Sequence, residues 1–257
     1  MSRVLVTGSA DGLGRLTAAQ LVHEGHEVVL HARSDARSRD ALDAVPGAVE
    51  VLTADLASIA QTRALAEQAN ASGRFDAVIH NAALGYQVSG RSETGDGLAA
   101  LFAVNVLAPY LLTALMTRPD RLVYMSSGMH TGGDPSLDDL QWRERRWSGT
   151  QAYSDSKLFD LALAFAVARR WPDVRSNAVT PGWVATRMGG PGAPDDLALG
   201  ADTQAWLAVS DEPAARVTGR YLYHRTERPA DPTASDPQLQ DGLLAACAQL
   251  SGVTLPD

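Results

Sequence analysis

The sequence predicts an α/β fold: a single doubly wound parallel sheet of about seven strands with helices on both faces. Three observations carry this. Short β-branched runs alternate with helix-spaced segments along the chain. The runs are apolar at successive positions, as strands covered on both faces are. A turn with three glycines in eight residues joins the first run to the first helical segment, the place where such a fold meets its ligand. No repeat, low-complexity tract or linker interrupts the 257 residues, so residues 1–257 are read as one domain.

Arg3–Thr7 is the first strand and ends at a glycine. Leu13–Glu24 follows as a helix, with Leu16, Ala19, Leu21 and Val22 at helical spacing. Glu27–His31 and Val49–Thr53 are the next strands, and Ile59–Asn70 is a helix. Asp76–His80 is strand four, succeeded by a long helix from Gly97 to Met116. Arg121–Ser126 is strand five, Ala152–Arg170 a long Ala/Leu helix, Val174–Thr180 strand six and Arg220–His224 a last short strand. Two stretches break the rhythm. Thr131–Gln151 is polar and carries Trp142 and Trp147; Arg187–Gly200 is rich in Gly and Pro, and within it Gly189–Pro194 reads as a mobile lid.

Composition narrows the function. A formal net charge of -8 argues against nucleic acid or an anionic membrane as partner. The one cysteine, Cys247, excludes an intramolecular disulfide and suits a reducing compartment. The chain enters an apolar run at Val4, which leaves no room for a signal peptide, and its longest apolar run, Leu161–Ala168, is too short to span a bilayer. A cytoplasmic protein with no metal, membrane or nucleic-acid partner is expected.

Three features point to chemistry. Gly8, Gly12 and Gly14 in Thr7–Gly14 permit a tight turn and close backbone approach, and the helix that follows offers its N-terminal amides to a dinucleotide pyrophosphate. Ser126-Ser127 ends strand five, at the carboxyl edge where open α/β sheets place their sites. Tyr153 and Lys157 lie one helical turn apart on one face. A phenol with an unperturbed pKa of about 10 is a poor catalyst at neutral pH, and an adjacent ammonium favours the phenolate. Pro109 adds a fourth hint. It lies four residues after Asn105 and has no N–H, so the Asn105 carbonyl loses its usual helical donor in a helix expected to kink.

Taken in order, these motifs resemble the short-chain dehydrogenase/reductase family, whose Rossmann fold binds NAD(P). The family's T-G-x-x-x-G-x-G is Thr7–Gly14, which implies Gly8, Ser9, Asp11, Gly12, Leu13 and Gly14 as cofactor residues. Asp55-Leu56 matches its adenine-contacting pair. His80-Asn81-Ala82-Ala83 matches N-N-A-G with two departures, His80 and Ala83, and implies Asn81, Ala82 and Ala83 at the cofactor. Pro181-Gly182 and Thr186 match the motif after strand six; Thr186 would hold the carboxamide, with a backbone N–H from Val184. The resemblance makes Ser127 the group that binds the substrate oxygen and Tyr153 the acid–base. Lys157 would hold the nicotinamide ribose and tune Tyr153, and Asn105 would hold a water that links the lysine to solvent.

Strand two ends Ala32-Arg33-Ser34, with no acid for a ribose diol. Arg33 suits a 2′-phosphate, with Ser34 as a second donor. NADP(H) is therefore expected, with NAD(H) second. Asp11 runs against this, because many NADP-preferring members carry a base just before the second glycine.

Tyr153 lies 26 positions after Ser127, a longer spacing than is usual in the family. Its Asp138-Asp139-Leu140-Gln141-Trp142 portion and the chain's ending resemble the retinol-dehydrogenase-like and protochlorophyllide-reductase-like branch. That implies hydride transfer between a carbonyl and an alcohol on a small molecule that is bulky and apolar. Trp142, Trp147, Trp183 and Met188 would line its pocket, with at least one insertion tryptophan only anchoring the loop. The Ala152–Arg170 helix leaves a homodimer or homotetramer open. The competing reading is a non-catalytic dinucleotide-binding or regulatory protein on the same fold; intact Ser127, Tyr153 and Lys157 argue against it.

Overall fold

The computed structural model describes residues 1–257. Its eight strands are β1 (Arg3–Val6), β2 (Glu27–Ala32), β3 (Glu50–Thr53), β4 (Ala77–His80), β5 (Arg121–Met125), β6 (Arg175–Val179), β7 (Tyr221–Tyr223) and β8 (Thr226–Glu227). They form one sheet in the order β3-β2-β1-β4-β5-β6-β7-β8. All pairings are parallel except β7 with β8. The strand order reverses at β1/β4, the switch point beside the glycine turn.

Successive strand residues point to opposite faces, and each face has its own core. Leu5, Val29, Val78, Leu122, Tyr124 and Ala178 pack on one side, with α3 (Ile59–Ser72), α5 (Ala108–Leu115), α6 (Gly149–Arg170) and α8 (Pro237–Ser251). Val4, Val28, Leu30, Ile79, Val123 and Val179 pack on the other, with α1 (Gly12–His23), α2 (Asp35–Ala44) and α7 (Leu197–Val209).

Beyond the unread helices α7 and α8, three elements differ from expectation. The eighth strand is a two-residue return whose hairpin turn places His224 and Arg225 at φ 47 and 58. Neither is a residue that announces a left-handed turn. The α2 helix buries only Ser38 and Ala41, so it has almost no apolar period to read. The helix expected from Gly97 to Met116 begins as α4 (Ala100–Phe102) and passes through a π-helical segment, Ala103–Leu107, into α5. The expected kink at Pro109 is thus accommodated by a π-turn around Asn105, a feature frequent at functional sites.

Every residue of α6 from Ala152 to Val167 is buried within the chain. The apolar sides that suggested a subunit interface are covered by α8 and by the loops around it. Cys247 of α8 is one of these core residues. No helix is long and apolar enough to cross a membrane.

Candidate active site

The glycine turn is built as the sequence implies. Gly8 and Gly12 have φ of +64 and +54. A Cβ on Gly14 would lie 2.4 Å from both Gly8 O and Asn81 Nδ2, so α1 can approach the β4 loop only without a side chain. A Cβ on Gly12 would meet no protein atom within 4 Å. Gly12 therefore presents bare backbone to open space at the N-terminus of α1, a shape that fits a pyrophosphate.

Asn81 closes the turn from the other side. Its Nδ2 donates to Thr7 O at 2.9 Å and Gly8 O at 3.2 Å. Thr7 Oγ1 accepts the N–H groups of Asn81 and Ala82 at 2.9 and 3.0 Å. Ser9 supports the turn from beneath: fully buried, it donates to Val6 O and accepts from His31 N, both at 2.9 Å. Its hydroxyl is occupied, which leaves only its backbone for a ligand.

His31, which the sequence did not single out, ties the glycine turn to the end of β3. Its Nδ1 accepts from Gly8 N at 3.0 Å and its Nε2 meets Ala54 O at 3.0 Å, next to Asp55 and the buried Leu56. The Gly8 bond requires the Nε2–H tautomer. Burial lowers the ring to about 4. His80, at the first departure from N-N-A-G, stacks on Tyr124 at 4.7 Å and bonds Thr113 Oγ1 at 3.2 Å; burial lowers it to about 3. Both rings are neutral when folded and accept protons more readily once unfolded. Below their unfolded values near pH 6.5 the unfolded chain binds more protons, so stability falls as pH drops toward 4 and then 3. His31 alone accounts for roughly 3 kcal/mol at the acid end. Urea titrations from pH 7 to 4 should record this loss, and His31→Gln should flatten the slope; an unchanged slope would contradict it.

At the end of β2, Arg33 and Ser34 are exposed at the start of α2. Ser34 caps that helix by accepting from Arg37 N at 3.5 Å. The Arg37 side chain crosses to Asp11, with Nη2 2.7 Å from Oδ2. Asp11, which argued against a phosphate, is thereby paired with the Arg37 guanidinium.

The catalytic candidates gather at the carboxyl ends of β5 and β6. Ser126 Oγ donates to Lys157 O at 2.8 Å and ties the strand end to α6. Ser127 caps a short 3-10 turn, Gly128–Gly132, and its Oγ accepts from Met129 N at 3.2 Å. His130 in that turn is buried against Tyr221; its ring meets Ser127 O at 2.7 Å and Asp231 N at 3.1 Å. Tyr86 packs edge-on against Tyr153, ring centroids 5.7 Å apart.

Lys157 is the only lysine in the chain. Its Nζ stands 5.5 Å from the Tyr153 ring centroid and donates to Met125 O at 2.8 Å and Asp160 Oδ2 at 2.7 Å. Burial by itself would lower the ammonium, but the Asp160 and Tyr153 charges leave it raised. Burial pushes the Asp160 carboxyl up against the pull of Lys157. Asp160 lies three residues beyond Lys157, at helical spacing; the sequence reading stopped at the lysine. Asn105 uses its side chain structurally: Oδ1 accepts from Leu84 N at 2.7 Å, and Nδ2 donates to Leu84 O at 3.1 Å and Ser156 Oγ at 3.0 Å. Pro109, four residues on, has no N–H to give the Asn105 backbone carbonyl.

The insertion is knotted to α6. Asp139 accepts the N–H groups of Arg143, Glu144 and Arg145, and Leu140 and Trp142 are buried. Arg145 stacks 3.7 Å over Trp142 and reaches Asp155 at 2.7 Å. Trp142 is thus the anchor, while Trp147, edge-on to it at 5.4 Å, packs with Leu84, Tyr86, Met129 and Met188 against the cluster formed by Leu101, Trp142, Ala152 and Tyr153. After β6, Gly182 has φ +83, Trp183 N donates to Asp195 Oδ2 at 2.6 Å, and Trp183 is 55% exposed. Thr186 Oγ1 accepts from Gly189 N at 3.2 Å and buried Val184 bridges to Asp195. Gln87 Nε2 reaches Met188 O at 3.2 Å, so the Gly/Pro segment rests on the loop that follows β4.

Known proteins resemble this chain along its length. A family model described as enoyl-(acyl carrier protein) reductase matches residues 8–215. The short-chain dehydrogenase chyC of Penicillium rubens is 42% identical over 100% of both chains. Human retinol dehydrogenase 13 is 30% identical over 98% of this chain and 85% of its own. A crystal structure of an uncharacterized protein from Mycobacterium Paratuberculosis superposes with a TM-score of 0.85 at 28% identity, covering 100% of this chain and 96% of that one.

Proposed function

The chain belongs to the short-chain dehydrogenase/reductase family, in its retinol-dehydrogenase-like branch, and on that premise we propose that it interconverts a carbonyl and an alcohol by NADP(H)-dependent hydride transfer. The observation that carries the reading is the placement of Tyr153 and Lys157, ring centroid and Nζ 5.5 Å apart, on a helix tied by Ser126 to the end of β5, where Ser127 follows, together with a glycine turn whose backbone is open at Gly12.

NADP(H) supplies the hydride when bound. Gly8, Asp11, Gly12, Leu13 and Gly14 border its pyrophosphate, and Asp55 and Leu56 its adenine. Asn81, Ala82 and Ala83 flank it at the switch point. Pro181, Gly182, Val184 and Thr186 would hold the nicotinamide end. Ser127 Oγ–H donates to the substrate oxygen. Tyr153 gives that oxygen its proton as the carbonyl becomes an alcohol and takes it back in oxidation. Lys157, with two of its three donors used by Met125 and Asp160, has one N–H left for the ribose. The Asn105 carbonyl, freed by Pro109, is a site for the water of a proton relay.

The cofactor choice rests on Arg33 and on the pairing of Asp11 with Arg37. Removal of a charge-assisted bond of about 1.5–3 kcal/mol should raise the KM for NADPH by roughly tenfold to a hundredfold in Arg33→Ala, with KM for NADH little changed. Equal changes for both cofactors would refute the assignment. The substrate side is apolar: Tyr86, Met129, Trp147 and Met188 wall the Tyr153 face, and Trp183 stands exposed near the mouth. A bulky apolar aldehyde or ketone suits it.

A further inference from the structure

The Lys157–Asp160 pair is the least expected feature of the site. Both side chains are under 5% exposed, at 3% and 4%, and their charged atoms are 2.7 Å apart. The ammonium that is to act on Tyr153 thus carries its own buried counter-ion, on the same helix, one turn beyond the phenol's partner.

The surroundings leave Asp160 with no other cation. From β5, Tyr124 faces it, a neutral phenol held by Thr113 at 2.7 Å; burial, and then the Asp160 charge, push that phenol further up. Behind Tyr124 lies the neutral His80 of β4. From α8, Cys247 is a buried thiol that burial pushes up and keeps neutral. The other charges on α6 and its neighbours are engaged elsewhere: Asp155 with Arg145, and Arg169 and Arg170 with Asp241. His130 is occupied by Ser127 O and Asp231 N. Asp160 therefore acts on Lys157 and, through it, on Tyr153.

We propose that Asp160 is a positioning residue: it holds the Lys157 ammonium and offsets its field at Tyr153, which sets the enzyme toward carbonyl reduction. This rests on the acid–base reading of Tyr153. An ionised Asp160 opposes the phenolate; a neutral residue of the same shape does not. The acid form of Tyr153 is the one that donates to a carbonyl oxygen, so a retained proton favours reduction over oxidation.

Asp160→Asn keeps the shape and removes the charge. In this variant the pH midpoint of the alcohol-oxidation rate should move down, on the order of one pH unit, while KM for NADPH changes little; Asp160→Glu should return it toward wild type. A midpoint that stays in place, or moves up, would overturn the proposal. A second measurement needs no variant and no turnover. With a single lysine in the chain, protein grown on lysine labelled with carbon-13 at Cε gives one side-chain resonance. It should show a titration step as Asp160 takes up its proton on acidification, well above the usual carboxylate range. A flat trace down to acid unfolding would overturn the proposal even if Asp160→Asn fails to fold. Because this readout is independent of substrate, a step without any turnover would separate failure of the catalytic reading from failure of this one.

Discussion

Replacing Tyr153 with Phe should reduce turnover of any accepted carbonyl by at least about a hundredfold, the lower bound for loss of a positioned general acid. The rise in Tm on adding NADPH should persist. The substitution removes one hydroxyl and little else. The ring would still meet Tyr86 edge-on and remain in the cluster with Leu101, Trp142 and Ala152. Lys157 would still be held by Met125 O and Asp160. A variant that retained more than a tenth of wild-type turnover would remove Tyr153 from the proton transfer.

Asp155→Ala should be the most destabilising single change near the site. Asp155 is two residues beyond Tyr153, and its side chain is 3% exposed. It accepts from Arg145 Nη2 at 2.7 Å, Gln151 Nε2 at 2.8 Å and Asp134 N at 2.8 Å. Removal of one partner of a buried pair costs about 3–5 kcal/mol, which for a chain of this size lowers Tm by on the order of 10 °C. The guanidinium left behind stacks on Trp142, so the insertion would loosen where Trp142 and Trp147 pack in the cluster that holds Tyr153. Asp134→Ala is the control. Its carboxylate, 47% exposed, pairs with the same arginine at 3.3 Å, and exposed pairs contribute about 1 kcal/mol or less. Scanning calorimetry of the two variants should separate them clearly; equal losses would show that the insertion is not tied down through Asp155.

The parts of the molecule that were legible in the sequence are those whose residues serve one local need. Gly14 is required because a Cβ would strike Gly8 O, and that need is visible as spacing. The central strands β1, β2, β4 and β5 are largely apolar on both faces because helices cover both, so they read as nearly continuous runs. What escaped reading depends on pairs distant in sequence or on surfaces without a period. The α2 helix is polar nearly all round. Arg37 matters because it meets Asp11, 26 residues away. His31 matters because it bonds both Gly8 and Ala54. Ser9 lies in the motif but faces the sheet, and no spacing distinguishes an inward hydroxyl from an outward one. Asp160 was within reach, since three residues on a helix is a contact distance; it was passed over because the motif ends at Lys157.

The account stands or falls on hydride transfer. Deuterium-labelled NADPH should be offered with a panel of bulky apolar aldehydes and ketones, and the alcohols examined for deuterium at the carbinol carbon. The account predicts label transferred by the wild type, and at least about a hundredfold less by Tyr153→Phe. Binding of NADPH, seen as a rise in Tm, without label in any alcohol at any pH would contradict it and favour a dinucleotide-binding protein that does no redox chemistry.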